Sequence, residues 1–555
     1  MNKIPVEVFC QITSYLTYSE KQKLLLICHY WHDIIKNTNL FHSFSVKGRR
    51  KFEAAIANFK THILYQRQVK SLRLTRPEVQ LHELLELPVL FPYLSHLTWQ
   101  DYSNQDYANI ELGKSQIQHW QKLKSFEEIN RFAFSLSLLR EGLFTSLVQI
   151  KINFFMGYNN CNDLFDYLPH APNLKRLDLI CISITLELME KLHTNASQLD
   201  TLFLTDVLQA SSGFDTAYET EQQQLAEIDQ SDTVDMQVRK TQPAIYLQKL
   251  RLKQFRLEND DLGLESRWMT YISNKYTQLK HLTIYALGAG RSYQPYYEQK
   301  LGSIVSSLSQ LESYDVNLYP LTKHILIPMD QSSTTLKKVN LLDDISIQLS
   351  TLVESQQKEY IETITLRSDL LNSEIFVMLE QFSQLRRLTI ESSSKLNDGF
   401  TVPLDTVLQG LTQLEELTLL YCNITLDRPV VNPEKSKLKS LVMERAMMMN
   451  VSIDIMSFIA QTCPFISELV IQGKVKETGH GPLQVHFPEQ YFRSIKLYIL
   501  GNQFYKVSNG SQVMWYTFCG KTLLSEQIEH KDQFYVSIAY KGASCLKIQG
   551  VNIPC

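Results

Sequence analysis

The chain has 555 residues, 44% of them hydrophobic and 20% charged, and its formal net charge at pH 7 is −3. This near-neutral balance gives no general reason to expect a nucleic acid or an anionic membrane surface as a partner. No apolar run approaches the roughly eighteen residues of a membrane helix, and the N-terminus lacks the features of a signal peptide. We therefore expect a protein that is cytoplasmic, nuclear or both.

Residues 4 to 41 have the pattern of three short helices. Pro5, Val8, Ile12 and Leu16 recur at three- and four-residue steps, which gives the first helix one apolar face. The second helix opens near Ser19 and carries the apolar run 24–27, and a third contains the tryptophan at position 31. Because so short a segment cannot bury this much apolar surface internally, we expect another protein to cover part of it.

These residues resemble the F-box family. The resemblance is carried by Ile4-Pro5 with Glu7-Val8, then Ile12, Tyr15-Leu16, Ile27-Cys28, Trp31 and the closing Leu40-Phe41. Phe41 stands where the family often has tryptophan, and the polar run 21–23 is a second departure. The resemblance implies that residues 1–46 form a three-helix domain; the alternative is a three-helix cap that seals the next domain.

The same resemblance implies a partner. It would be a Skp-type adaptor, which connects the chain to cullin and RING subunits. The residues that the resemblance assigns to adaptor binding are Ile4, Pro5, Val8, Ile12, Leu16, Cys28, Trp31, Leu40 and Phe41.

A basic segment follows the three predicted helices. Residues 47–76 contain nine lysines and arginines against one acid, and the cluster 47–51 is of the kind that addresses proteins to the nucleus or contacts phosphate. Such short clusters are more typical of a solvated linker. Since Phe52, Ile56, Phe59 and Ile63 fit a helix, we interpret residues 47–68 as a basic helical linker.

From Val69 onward one phrase recurs: an apolar residue, two variable residues, an apolar residue, one variable residue and an apolar residue. Copies begin at Val69, Leu94, Leu147, Leu174, Leu199, Leu247, Leu279, Leu311, Leu336, Ile361, Leu385, Leu414, Leu438, Ile466 and Phe492. Several steps are 24 or 25 residues, within the range of leucine-rich repeats. Each copy ends in a strand-like alternation, and helix-like patterns lie between copies. We predict an α/β fold, a leucine-rich-repeat solenoid over residues 69–500 with a parallel concave sheet and a helical convex side.

Two intervals break this period. Between Leu94 and Leu147 we interpret Ile129-Phe132-Phe134 as a degraded copy. Residues 208–243 are polar and hold seven acids against two bases, so we predict a disordered insertion with too little apolar surface to offset its ordering entropy.

The phrase fades after Leu497. Residues 504–518, 533–539 and 545–548 favour strands. We predict that residues 501–555 form a β-rich cap on the last repeat, and a role in partner binding is equally compatible.

Motifs of catalysis are missing from the sequence. There is no phosphate-binding glycine loop, no Gly-x-Ser-x-Gly elbow, no His-Glu-x-x-His helix and no Cys-x-x-Cys pair among the nine cysteines. Cys28 and His29 are neighbours in a predicted helix, so they cannot form a nucleophile–base pair. We expect no enzyme activity, cofactor or metal site, and a protein that holds other molecules together.

The concave strand face is then the place for specificity, at side chains that flank the inner leucines. The candidate substrate-binding residues are Arg176, Asp178, Lys249, Arg251, Lys253, Tyr285, Arg367, Arg387, Glu416 and Glu444. Basic character dominates in the middle of the chain and acidic character toward its end. This grading suits a folded protein or a charged peptide better than a nucleic-acid backbone.

We predict a substrate-recognition subunit of an SCF-type ubiquitin ligase, which serves ubiquitin-dependent protein catabolism without catalytic residues of its own. The chain would act by proximity, holding a target near the conjugating enzyme. One alternative is an F-box scaffold that directs no ubiquitin transfer. Another is a nuclear or RNA-associated repeat protein that uses the basic residues of 47–76.

Overall fold

The structure of the chain is a computed structural model. It describes residues 5–553 apart from 15, 17, 37–39, 102–110, 112, 114–116, 130–133, 155–160, 210–242, 258–267, 269–270, 287–304, 306–307, 318–319, 343, 369–370, 393–399, 428–433, 449–454, 476–481, 510–511, 521 and 527–533. The chain divides into two compact units, Met1–Tyr293 and Gln294–Cys555. In the described part of the chain, no helix is long and apolar enough to cross a membrane.

Three helices open the first unit, as the sequence predicts. They are α1 (Val6–Ser14), α2 (Tyr18–Leu24) and α3 (His29–Ile34). Helix α2 is shorter than expected because residues 25–27 form a turn, in which the Leu26 amide donates to the Lys23 carbonyl at 3.2 Å. A run of consecutive apolar residues cannot face one side of a helix. The Trp31 ring lies edge-on to Phe9, 4.9 Å between centroids, and fixes α3 on α1.

The sheet of the first unit consists of parallel strands in chain order. The strands are β1 (Ser43–Lys47), β2 (Ser71–Thr75), β3 (His96–Gln100), β4 (Ser125–Ile129), β5 (Gln149–Asn153), β6 (Arg176–Ile184), β7 (Thr201–Gln209), β8 (Lys249–Leu257) and β9 (His281–Ala286). Equivalent positions of the repeated phrase pair with each other; Leu72 is opposite Leu97, and Leu177 is opposite Leu202. Their side chains point to one face and are at most 1% exposed. This register confirms the α/β leucine-rich-repeat architecture.

Helices connect these strands and form the other layer of the unit. They are α4 (Arg49–Thr61), α5 (Ile63–Gln68), α6 (Leu81–Leu90), α7 (Phe134–Glu141), α8 (Asn162–Tyr167) and α9 (Leu186–Asn195). Most of them have an apolar side that completes the core; in α9 the buried residues include Leu186, Met189 and Leu192. Helix α5 is an exception, because Gln68 is the only buried one of its six described residues.

The repeat array begins earlier than the sequence analysis placed it. Strand β1 pairs in parallel with β2, and Phe41 and Val46 occupy the first and last apolar positions of the phrase. Residues 47–68, interpreted above as a linker, contain α4 and α5, whose Phe52 and Phe59 are 1% exposed. The segment therefore forms the helical side of the first repeat.

The interpretation of Ile129-Phe132-Phe134 as a degraded copy was wrong. Strand β4 uses Leu123 and Phe126 as its apolar positions, and Glu128 stands where a third apolar residue is expected. Glu128 is 0% exposed, and its carboxylate accepts the backbone N–H groups of Phe134 at 2.6 Å and Ser135 at 2.9 Å. The glutamate caps α7, and this polar contact concealed the copy; residue 132 lies outside the described residues.

The second unit has its own parallel sheet. Its strands pair in the order β10 (Ser313–Val316), β11 (Lys338–Leu342), β12 (Thr363–Arg367), β13 (Arg387–Glu391), β15 (Glu416–Leu420), β17 (Ser440–Met448), β18 (Glu468–Val475), β20 (Ser494–Ile499) and β25 (Leu546–Ile548), and the short strands β14 (Thr401–Pro403) and β16 (Asn423–Thr425) continue beside the second half of β17. The connecting helices are α10 (Lys323–Gln331), α11 (Ile345–Glu354), α12 (Ser373–Leu379), α13 (Leu404–Gly410) and α14 (Ile455–Thr462). Strand β26 (Val551–Ile553) pairs antiparallel to β25 and ends the ladder.

The β-rich C-terminal part is confirmed, although it begins before residue 501. A second sheet has the order β19 (Leu483–Phe492), β24 (Tyr535–Ala543), β21 (Phe504–Asn509), β22 (Gln512–Cys519) and β23 (Thr522–Glu526). In the chain, β19 lies between β18 and β20, and β21–β24 lie between β20 and β25. The small sheet therefore takes the place that helices occupy in earlier repeats.

The predicted disordered insertion, residues 208–243, lies almost wholly outside the described residues. Leu208 and Gln209 belong to β7, and the described chain resumes at Pro243.

Candidate functional site

The first candidate surface is the apolar exterior of α1–α3 and of the turn after α2, which we call the helical surface. Val8 is 45% exposed, Ile12 52%, Leu26 87% and Ile27 54%. Exposed apolar side chains concentrated in so small a domain are typical of a protein-binding site. Leu26 was not among the predicted contact residues, although the run 24–27 signalled that part of it must stay exposed.

The structure separates the predicted adaptor-binding residues into groups. Exposed side chains belong to Pro5, Val8, Ile12 and Cys28, and half-buried ones to Leu16 and Trp31. Ile4 lies outside the described residues. Leu40 and Phe41 differ from the expectation, because each is only 7% exposed.

Phe41 is buried because it belongs to the core of the first repeat. Its ring lies 5.5 Å from that of Phe59 and 4.7 Å from that of Tyr65, between centroids. An aromatic residue in this position contacts α4 and α5 and contributes no exposed surface. Phe41 is therefore not part of the helical surface.

Gln68 fastens the end of the helical domain to the first repeat. Its side-chain amide donates to the Lys36 carbonyl at 2.8 Å and accepts the backbone N–H of Phe41 at 3.4 Å. Gln68 is 6% exposed, so both contacts are shielded from water. Sequence reasoning missed this residue, because a single glutamine before a repeat strand carries no pattern.

The second candidate surface is the outward face of the strands in the first unit. In β8 the outward positions are Lys249, Arg251 and Lys253, because Leu250 and Leu252 between them are 2% and 1% exposed. The register places Phe203 of β7 opposite Arg251. The structure thus brings the predicted basic residues of β8 into one row.

An aromatic ring connects two of the predicted cations. The guanidinium groups of Arg176 and Arg251 lie 4.8 Å and 4.9 Å from the centre of the Phe203 ring. Arg176 also donates to both oxygens of Asp178, at 3.0 Å and 2.9 Å, and this carboxylate raises the pKa of Arg176. Phe203 was not predicted, since phenylalanine at an outward position resembles an ordinary strand residue.

The candidates of the second unit lie on neighbouring strands. Arg387 and Glu416 occupy equivalent positions of β13 and β15, and both are exposed. Arg367 pairs with Glu391 of the adjacent strand, with 2.7 Å between Nη2 and the carboxylate. Glu444, further along the same row, is exposed. These outward positions include both positive and negative side chains, unlike those of β8.

Arg49 of the basic segment is committed to contacts within the first unit. Its guanidinium pairs with Glu53 at 2.8 Å and with Glu83 of α6 at 2.8 Å, and the Glu83 carboxylate raises the pKa of Arg49. Arg50 and Lys51 are exposed. One of the four cations in the cluster 47–51 therefore has a structural role.

The buried thiols are poorly suited to nucleophilic chemistry. Burial raises the pKa of Cys422 and of Cys463 to about 12, and it raises the pKa of Cys161 still further. Only the thiolate form is a good nucleophile. Within the described ranges, no group of three or more His, Cys, Asp or Glu residues is placed to hold a metal ion.

Comparison with known proteins adds a family to the helical domain. Residues 1–47 match the F-box-like family, and no curated protein matches the chain. Among solved structures, the chain is similar to the TLR13–ssRNA13 complex (11% identity, 74% of this chain and 64% of that chain covered, TM-score 0.35) and to the mouse RP105/MD-1 complex (11%, 74% and 71%, TM-score 0.35). It is also similar to the plant peptide hormone receptor RGFR1 in complex with RGF2 (11%, 80% and 70%, TM-score 0.28). The chain thus spans slightly less than two thirds of the TLR13 chain.

The class of protein follows from the family match together with the strand register. The chain joins an F-box-like domain to leucine-rich-repeat units, and both are modules of protein interaction. We conclude that the chain has a role in binding other proteins. No catalytic family matches it.

Proposed function

We propose that this chain is the substrate-recognition subunit of an SCF-type ubiquitin ligase. The helical surface docks on a Skp-type adaptor, and the outward strand faces bind the target protein. Ubiquitin transfer is then accelerated by proximity, with the chemistry supplied by other subunits. Such a role places the protein in the cytoplasm or the nucleus.

The observation that carries the proposal is the exposure of apolar residues within the matched domain. F-box domains generally bind Skp-type adaptors, and residues 1–47 match that family. The helices α1 and α3 are fixed on each other by the Phe9–Trp31 contact, and Val8 and Ile12 remain 45% and 52% exposed. Because each is about half exposed, burying the remainder in an interface yields on the order of 1 kcal/mol each, roughly half of what full burial gives. A closed cap would have buried them within the chain.

Adaptor capture tests the proposal. In the double variant Val8→Asp with Ile12→Asp, two carboxylates replace apolar contacts, so we expect adaptor binding to weaken by about a hundredfold or more. The measurement is co-purification of adaptor and cullin with the tagged chain, followed by calorimetric titration with purified adaptor. Since both side chains are exposed, the variant should melt like the wild type.

Ile347→Asp is the matched control, because Ile347 is 66% exposed on α11 of the second unit. It should leave adaptor binding unchanged. A deletion of residues 1–46 is less suitable, because it also removes most of β1 and uncovers Phe59. Wild-type protein that captures no adaptor, or a double variant that binds it normally, would refute the proposal.

Ubiquitin transfer distinguishes a ligase subunit from a scaffold. Captured partners should gain ubiquitin in a reconstituted reaction with wild-type chain and lose this gain with the double variant. They should also accumulate in cells under proteasome inhibition. Partners that are captured through the repeats but never modified would favour the scaffold.

A further inference from the structure

Strand β8 carries a row of cations on its outward face, which we call the β8 row: Lys249, Arg251 and Lys253. The neighbouring outward positions contain no carboxylate. On β7 these positions are Thr201, Phe203 and Thr205, and on β9 they are His281, Thr283 and Tyr285. Like charges on alternate residues repel one another, and Lys249 and Arg251 have no carboxylate at these neighbouring positions, so the row favours an anionic ligand.

Two other outward cations of this sheet have acidic partners. Lys151 pairs with Glu127 at 2.6 Å, and Arg176 pairs with Asp178 at 2.9 Å. By contrast, the ion pairs found between described residues include neither Lys249 nor Arg251. The Nε atom of Arg251 is buried and has no hydrogen-bond partner among the described residues.

Arg251 is also held in position before any ligand arrives. Its guanidinium lies 4.9 Å from the centre of the Phe203 ring, and Arg176 contacts the same ring while Asp178 holds Arg176 by two hydrogen bonds. A guanidinium fixed in this way loses little entropy when it binds a carboxylate with two parallel hydrogen bonds. The cluster is therefore preorganised for a planar anion.

We propose that the β8 row binds an acidic, extended peptide segment of the target protein, with Arg251 receiving a carboxylate. This inference rests on the proposed protein-binding function of the repeats. Alternate residues of an extended peptide are about 6.8 Å apart, the same step as the cations along β8. The positive area ends toward β6 at Asp178, so it suits a few carboxylates better than a long phosphate backbone.

Fluorescence anisotropy with a defined probe tests the proposal. The probe is a fluorescein-labelled peptide of alternating glutamate and threonine, and the comparison peptide has glutamine in place of glutamate. With the purified full-length chain, we expect the glutamate peptide to bind at least about tenfold more tightly, and its affinity to fall as salt rises.

Three variants then locate the site. Lys249→Gln with Arg251→Gln should weaken binding of the glutamate peptide about tenfold or more, and Arg251→Lys should weaken it about threefold because the charge remains while the two-pronged contact is lost. Lys338→Gln with Lys435→Gln is the matched control, since both cations are exposed, lie in the second unit and are not among the candidate substrate-binding residues. It should leave the affinity unchanged. Thermal unfolding verifies that all variants are folded.

Adaptor capture by the same variants separates this inference from the proposed function. The β8 variants should bind adaptor normally, and the peptide assay needs no adaptor. Three outcomes would overturn the inference. They are equal binding of the glutamate and glutamine peptides, full affinity of the Lys249→Gln with Arg251→Gln variant for the glutamate peptide, and tighter binding of a labelled single-stranded oligonucleotide at the same salt. Loss of adaptor binding alone would overturn only the ligase role.

Discussion

His193 is a buried titratable residue whose environment has a measurable consequence. Its ring is 8% exposed, and Nε2 lies 2.8 Å from the hydroxyl of Tyr276. Burial, assisted by the nearby charge of Lys275, lowers the pKa of His193 from 6.5 to about 3. Between these values the unfolded chain binds a proton that the folded chain does not. The contribution of His193 to stability is therefore complete above pH 6.5 and is lost as the pH falls toward 3.

We expect this residue to contribute a slope of up to about 1.4 kcal/mol per pH unit to the free energy of unfolding below pH 6.5. His193→Gln should remove that slope, and urea titrations between mildly acidic and neutral pH measure it. His119→Gln, at an exposed position, is the control and should retain it. Identical slopes in the His193 variant and the wild type would contradict the assignment.

Glu128 shows how one polar residue can replace a core leucine. Its carboxylate satisfies two buried N–H groups at the start of α7. Glu128→Leu restores the repeated phrase, yet we expect it to lower the free energy of unfolding by about 2 kcal/mol, because both donors lose their acceptor. Glu127→Leu on the outward face breaks only a partly exposed ion pair and should cost under about 1 kcal/mol. Chemical denaturation compares them, and a Glu128→Leu chain as stable as the wild type would contradict the capping role.

At the scale of elements, the pairing of β17 with β18 depends on a glycine. Gly473 stands opposite Ala446, where the register shifts, and a Cβ atom there would overlap the Ala446 backbone oxygen. The backbone of one strand would have to move, because a carbonyl has no alternative rotamer. The close approach of the two strands therefore requires glycine.

We expect Gly473→Ala to destabilise the second unit by about 2 kcal/mol or more. Gly410→Ala is the control, since a Cβ atom at that helical position would meet only the flexible side chain of Glu380. Thermal and urea unfolding of the two variants should differ accordingly. If both variants melt together with the wild type, the close approach does not constrain the sheet.

The strands were more predictable than the elements behind them. An apolar residue at every inward position leaves a pattern in the sequence, and the apolar residues of the fifteen predicted copies that begin between Val69 and Phe492 are all buried. Only the degraded copy interpreted at residues 129–134 was wrong, because Glu128 replaces an apolar residue there. The layer behind the strands follows no such rule, since either helices or strands can cover the same apolar face. For that reason the second sheet was predicted only as β-rich sequence over residues 501–555 and not as a replacement for helices, and its strand β19 was not predicted.

At the scale of the whole molecule, the class of fold could be predicted because it depends on repetition, whereas the sites could not because they depend on single contacts. Phe203 between two guanidinium groups, Gln68 at the domain junction and Glu128 in the core each occur once. Phe41 shows the converse: it matched a family pattern, but in this chain its side chain packs in the core of the first repeat. A residue shared by two modules cannot be assigned from one motif alone.

The two hydrogen bonds of the Gln68 side chain affect how the helical domain is connected to the first repeat. Lys36 and Phe41 are both hydrogen-bonded to the side-chain amide of Gln68, so this amide ties the end of the helices to the start of the first repeat. In the ligase role proposed above, a target protein bound to this unit would be held at a defined orientation. That orientation would determine which lysine of the target is modified. Inserting a few glycines after Lys36 should make the choice of lysine less selective.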